Sequence, residues 1–255
     1  MGTERSPAIR IYRRASTRFG PLRELLVRHD FHPVSPPDAM AQWEFCDDRR
    51  TRVLLCASSL LVEAEEEFDA DEFDRRHRLA LPSDHDIPDG GEAPLRVTLV
   101  AGSDEAGKSE SDRAMAVAAV ALPMEFEEDA IARGLRDSKT CAAQEIAELA
   151  EWIESRFAFC TRVIPVSERE QELRAHGGNE SRLLASMHAD CLRRLYALEE
   201  FAIARVDRFA PNRPVAAALA STHPQLLVDE CVRGERFPAV AAASVLARFH
   251  ATPRA

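Results

Sequence analysis

Lysine is almost missing from this chain: 33 of its 255 residues are basic, and all but Lys108 and Lys139 are arginine. An excess of positive charge is missing too, because 43 acidic residues set the formal net charge at -10. A surface coated uniformly with positive charge is thereby excluded, although a local basic groove is not. The six cysteines, Cys46, Cys56, Cys141, Cys160, Cys191 and Cys231, form no CxxC pair. That spacing argues against a zinc site and leaves them as small core side chains. No apolar run approaches the roughly 18 residues of a membrane span, and no secretory signal pattern is present. An intracellular, reduced, cytoplasmic protein without membrane contact is expected. The arginine bias, with its abundant Ala, reads as genomic base composition and by itself assigns no role to the two lysines.

The length permits one or two domains. Pro82, Pro88, Gly90, Gly91 and Pro94 break regular structure, so the expected division is a small domain over 1–81, a linker over 82–94 and a larger domain over 95–255. In the first, residues 8–14 read as a strand, and Leu22, Leu25 and Leu26 followed by Phe31 read as a short helix. Residues 32–37 read as a turn, with Trp43, Phe45 and the segment 52–61 supplying further strands. Residues 1–30 carry seven arginines against three acids, whereas 63–74 carry eight acids and no Lys or Arg. The acidic run is expected to be a surface helix anchored by Phe68 and Phe73.

The larger domain reads as α/β. Strands are expected at 95–100, 114–122, 159–165, 201–206 and 226–232, and helices at 141–157, 179–198 and from Pro238 through Arg248. The longest helix carries Leu183, Leu184, Met187, Cys191, Leu192 and Leu195 along one stripe.

Within this domain an ordered set of blocks carries the chemistry: Gly102-Ser103-Asp104-Glu105-Ala106-Gly107-Lys108, Gly134-Leu135-Arg136-Asp137-Ser138-Lys139, Met187-His188, Val206-Asp207-Arg208-Phe209, and the run from Phe237 to Arg248 that contains Ser244. In order and content they resemble the type 2 ribonucleases H, most like ribonuclease HIII. The resemblance implies a ribonuclease H-like mixed-sheet domain, preceded by a small sheet-and-helix domain like the TATA-binding fold that helps hold nucleic acid. Arg10, Arg13, Arg14, Arg18 and Arg23 are then candidate phosphate contacts. The implied activity is endonucleolytic hydrolysis of the RNA strand of an RNA/DNA hybrid.

Carboxylates that hold two divalent ions can orient water and stabilise charge as a phosphodiester is cut, and Mg²⁺ or Mn²⁺ suits an all-oxygen site. By the resemblance Asp104, Glu105 and Asp207 match three of the family's metal-binding acids. Adjacent strand residues point to opposite faces, so a bend permitted by Gly107 would be needed to bring Asp104 and Glu105 to one rim. Lys108, Ser138 and Lys139 would place phosphate, with Gly107 and Ser109 as substrate-binding loop residues and Asp137 organising its turn. His188 is expected to be structural.

Two departures matter. Where the family presents its fourth acid, ten residues before Ser244, this chain has Gly234, with Glu235 beside it as the possible substitute. A one-residue shift on a helix rotates a side chain by roughly 100°, so restoring the acid through Gly234→Asp is expected to increase cleavage if ligand placement alone is defective. Ser109 stands where family loops carry a second glycine, beside the ribose 2′-OH. The alternatives are a catalytically weak or inactive hybrid-binding protein, and a structural or protein-interaction module using the acidic 63–74 segment.

Overall fold

A computed structural model of the chain describes residues 8–13, 24, 26–28, 31–35, 43–46, 51–56, 59–64, 95–110, 112–135 and 138–252. The chain divides into two units, Met1–Val97 and Thr98–Ala255.

The first unit is an antiparallel sheet of β1 (Ala8–Arg13), β2 (His32–Ser35), β3 (Trp43–Cys46), β4 (Arg52–Cys56), β5 (Ser59–Ala64) and β6 (Leu95–Arg96), in the order β2-β3-β4-β5-β1-β6. Alternation buries Ile9 and Ile11 from β1, joined by Val53, Leu54, Leu61 and Val62 from β4 and β5. Leu26, in a helical stretch, and Phe31 are buried too, and the Phe31 N–H donates to the Leu26 carbonyl at 3.0 Å.

Three local expectations change here. Residues 32–35 form an edge strand, not a turn; the edge tolerates the missing N–H of Pro33, and the register slips between Pro33 and Ser35. The segment 52–61 supplies parts of β4 and β5, paired from Arg52 opposite Glu63 to Cys56 opposite Ser59. Glu63 does not open a surface helix: it is buried in β5 and meets Arg52 Nη1 at 3.5 Å across the ladder. That pairing compensates two charges removed from water. The rest of the acidic run with Phe68 and Phe73, the linker 82–94, and Arg14, Arg18, Arg23 and Asp137 lie outside the described residues. Finally, 95–100 is not one strand, because β6 pairs with β1 and the Val97 N–H donates to the Ile9 carbonyl before the next strand begins at Leu99.

The second unit is built on β7 (Leu99–Ala106), β8 (Met115–Pro123), β9 (Phe159–Ile164), β10 (Ile203–Asp207) and β11 (Leu227–Cys231), ordered β11-β10-β7-β8-β9. Strands β7, β8 and β9 form an antiparallel meander, while β10 and β11 join parallel to β7. The helices are α1 (Glu127–Ala132), α2 (Ala143–Glu154), α3 (Val166–Ala175), α4 (Glu180–Leu198), α5 (Pro214–Leu219) and α6 (Pro238–Ala251). The expected apolar stripe of α4 is buried, and Asn179 caps its first turn by accepting from the Arg182 N–H at 3.0 Å.

Neighbouring residues of β7 show how the layers lie. A Cβ on Gly102 would fall on the backbone of Ala239 in α6, whereas the Ser103 hydroxyl meets His188 of α4. Because successive strand residues face opposite sides, α6 and α4 cover opposite faces of the sheet. Among the described residues no helix is long and apolar enough to cross a membrane.

Candidate active site

The parallel pairing of β7 and β10 ends with Val206 opposite Ser103. The next residues, Asp207 and Asp104, therefore stand side by side at the strand ends. Glu105 follows Asp104 within the β7–β8 ladder, opposite Val117, and no bend turns the two acids to one face. Asp104 is served from the α6 side by the Ser244 hydroxyl, and Glu105 from the α4 side by His188 Nε2 at 3.3 Å. The site straddles the sheet's rim instead of lying on one face.

Each acid has its own shell. Ser244 Oγ lies 2.9 Å from Ser138 Oγ, and both are buried. With Ser244 donating to Asp104, Ser138 donates to Ser244. Ser138 thus supports Asp104 from inside, and the turn buries the hydroxyl that was expected to place phosphate. The Glu105 N–H donates back to Asp104 Oδ1 at 2.8 Å. On the other face, Ser103 gives its proton to the Ala118 carbonyl at 2.8 Å, so it must accept from His188 Nδ1 at 2.7 Å. With Nδ1 turned to Ser103, the other ring nitrogen, Nε2, is the atom that faces Glu105. His188 is fully buried and stacks on Phe209 with ring centroids 5.2 Å apart. Lys108 closes this side, with Nζ 3.7 Å from Glu105 Oε1, 3.4 Å from the Phe209 carbonyl and 5.4 Å from the Phe209 ring centroid.

Asp207 Oδ1 accepts from the Gly234 N–H at 2.8 Å. This explains the glycine in physical terms, since an added Cβ would sit 2.9 Å from Asp207 Cα and 3.1 Å from its N. An acid at 234 has no room unless the Asp207 backbone moves. Gly234→Asp is accordingly expected to lower cleavage, contrary to the gain expected from sequence. A purified variant that cleaves faster than its parent would refute this account. Glu235 sits half-buried on the turn Gly234–Arg236, near enough for its charge to act on Asp207. Beneath that turn, buried Arg205 places its guanidinium 3.7 Å from the Phe237 ring centroid and faces Asp229 at 3.9 Å.

The electrostatics follow from this crowding. Burial, then the charges of Glu105 and Asp207, push the Asp104 carboxyl well above its ordinary value, against the hydrogen bonds from Ser244 and the Glu105 N–H. Burial likewise pushes Asp207 up, with Glu105 and Glu235 adding and the Gly234 N–H and Lys139 opposing. Glu105 is raised by burial, but His188, Lys108 and Lys139 outweigh that and hold it below the usual range.

Such a rim of crowded hard oxygen donors, which raise one another's carboxyls, fits a divalent cation. As placed, no three His, Cys, Asp or Glu side chains among the described residues gather closely enough to hold an ion. The raised Asp104 and Asp207 contribute stability that is fully present below the ordinary 3.8 of an aspartate and lost as pH rises through their folded values. Metal-free protein is therefore expected to lose thermal stability as pH rises above the ordinary aspartate value, and Mg²⁺ to restore it more at the higher pH. Melting curves with EDTA and with Mg²⁺ check this, and an equal Mg²⁺ effect at low and high pH would contradict it.

A mixed five-stranded sheet, helices on both faces and carboxylates at the rim together define a ribonuclease H-like domain. The model of the ribonuclease HII family matches residues 101–252, and the chain belongs to that family. Among solved structures, Archaeoglobus fulgidus RNase HII, solved in complex with PCNA, is 28% identical and covers 60% of this chain and 71% of its own, with a TM-score of 0.51. Bst-RNase HIII in complex with Mn²⁺ is 18% identical but covers 95% of this chain and 80% of its own, with a TM-score of 0.52. Aquifex aeolicus RNase H3 is 16% identical, covers 94% of this chain and 83% of its own, and has a TM-score of 0.50. No curated protein matches the sequence. The likeness in fold to the two ribonuclease HIII structures covers 94–95% of this chain and so reaches beyond the family-matched segment.

Sequence reasoning missed several members of the site. Ser103 and Phe209 lay inside the quoted blocks without a role, and only the layering of α4 over β7 shows that both hold His188. Ser244 was a register mark, and Gly234 looked like a loss because its contact with Asp207 spans 27 residues.

Proposed function

We propose that this protein cuts the RNA strand of RNA/DNA hybrids endonucleolytically, with Asp104, Glu105 and Asp207 holding Mg²⁺ or Mn²⁺ and Glu235 contributing beside Asp207. The observation that carries the reading is the meeting of Asp104 and Asp207 at adjacent strand ends, with Glu105 at the same rim, inside the family-matched segment. Two bound ions would orient the attacking water and offset the charge that builds on the phosphate and the leaving oxygen.

The chain's own residues prepare that chemistry. Ser244 and Ser138 fix Asp104, His188 fixes Glu105, and the Gly234 N–H fixes Asp207, so three carboxylates are held in place before substrate arrives. Lys108 and Lys139 supply positive charge beside them and are the candidates for placing a scissile phosphate. The first unit is the candidate holder of the hybrid.

A second reading, a weak or inactive hybrid-binding protein, is favoured by one feature, the glycine whose contact with Asp207 leaves no room for an acid at 234. Incubating matched RNA/DNA hybrid, duplex DNA and duplex RNA with the protein and Mg²⁺ or Mn²⁺ separates the two. Cuts confined to the RNA of the hybrid support the nuclease, and hybrid binding without any cut supports the second reading.

A further inference from the structure

The loop after β7 is held by a part of the fold that the proposed chemistry does not use. Gly107 and Ser109 both adopt left-handed backbone, with φ of 79° and 59°. For Gly107 this is obligatory, because a Cβ would sit 2.1 Å from the Ala114 carbonyl oxygen. For Ser109 it is a conformation that an L side chain resists.

What holds Ser109 there is Glu180 at the start of α4. The Ser109 N–H donates to Glu180 Oε1 at 3.2 Å, and its hydroxyl points to Oε2 at 3.5 Å. Glu180 is itself fixed by Arg169 of α3, whose Nη2 lies 3.0 Å from Oε1. The other arm of the same guanidinium donates to two loop carbonyls, those of Glu110 and, at 3.2 Å, Arg113. One side chain thus grips the loop carbonyls of Glu110 and Arg113 and the carboxylate that holds Ser109. Helix α3 buries none of its residues, so apolar packing does not account for its placement. It is tied down by Arg169 and by the Arg162–Glu172 pair at 3.4 Å.

We propose that Arg169 and Glu180 are positioning residues that clamp the loop in its left-handed turn at Ser109, and thereby keep Lys108 beside Glu105 for hybrid binding. The role in binding rests on the reading of the site as a hybrid nuclease, but the clamp itself does not.

Because glycine adopts the turn without cost, Ser109→Gly makes the clamp dispensable, and a double-mutant cycle tests it. Hydrogen exchange at the amides of residues 107–113, without nucleic acid, reads the clamp directly. Glu180→Ala and Arg169→Ala should each raise exchange at the Ser109 amide by about tenfold or more. Affinity for a hybrid, measured with EDTA so that cleavage is off, reads the consequence. Glu180→Ala should weaken binding about fivefold in the parent and less than about twofold in the Ser109→Gly background, the difference reflecting the backbone cost at Ser109. Unchanged exchange, or equal weakening in both backgrounds, overturns the clamp. Tighter binding by Glu180→Ala also overturns it, since the carboxylate would then be blocking a loop donor. A parent chain that binds no hybrid would refute the nuclease reading, while the exchange result would still decide the clamp.

Discussion

Replacing Asp104 by Asn should cut hybrid cleavage by at least about 10²- to 10³-fold, the scale on which removing one preorganised electrostatic group acts. The amide matches the carboxylate in shape, and its oxygen can still accept from the Glu105 N–H. What disappears is a negative charge that burial and two neighbouring acids already oppose. The variant should consequently melt at a higher temperature than the parent when metal is absent, and gain less from added Mg²⁺. Loss of activity with gain of metal-free stability is a paired signature that simple misfolding does not imitate. Cleavage near the parental rate would remove Asp104 from the chemistry. A lower metal-free Tm would contradict the account of its burial.

The second large effect is structural. Gly102→Ala should destabilise the second unit by about 4 kcal/mol or more, above the usual 1–3 kcal/mol of an overpacked core. The added Cβ would lie 2.0 Å from the Ala239 carbonyl carbon, 2.1 Å from its oxygen and 2.3 Å from the Val240 nitrogen. All three are backbone atoms of the first turn of α6, so no side-chain rotation relieves the clash. Against a total stability of about 5–15 kcal/mol this is a large share, and Tm should fall by about 10 °C or more. Thermal or urea unfolding checks it, and a Tm within about 2 °C of the parent's would show that α6 can lift from β7 at little cost. Because α6 carries Ser244, surviving folded protein should also hold Asp104 less well.

What could be read from the residues alone varied with the signal each carried. The stripe along α4 and the apolar runs of β8, β10 and β11 were legible because burial imposes periodicity or continuity on sequence. Helix α3 was not, since it buries none of its residues and so leaves no apolar pattern to find. The strand at residues 32–35 was hidden by Pro33, which reads as a turn unless its place at a sheet edge is known. Within the site, Asp104, Glu105 and Asp207 were legible only through the order of the blocks around them, which resemble a known family. The supporting contacts were not, because Gly234 to Asp207 and Ser138 to Ser244 are made between segments that only the fold brings together.

The scarcity of lysine gains a practical meaning from where the two stand. Lys108 lies against Glu105, and the charge of Lys139 reaches both Glu105 and Asp207. Apart from any α-amino group, an amine-selective reagent has no other target in this chain. Such a reagent, which would scatter over the surface of a lysine-rich protein, here becomes an address for the carboxylate rim. Protection of Lys108 or Lys139 from acylation by a bound hybrid can therefore be read as occupancy of that rim alone.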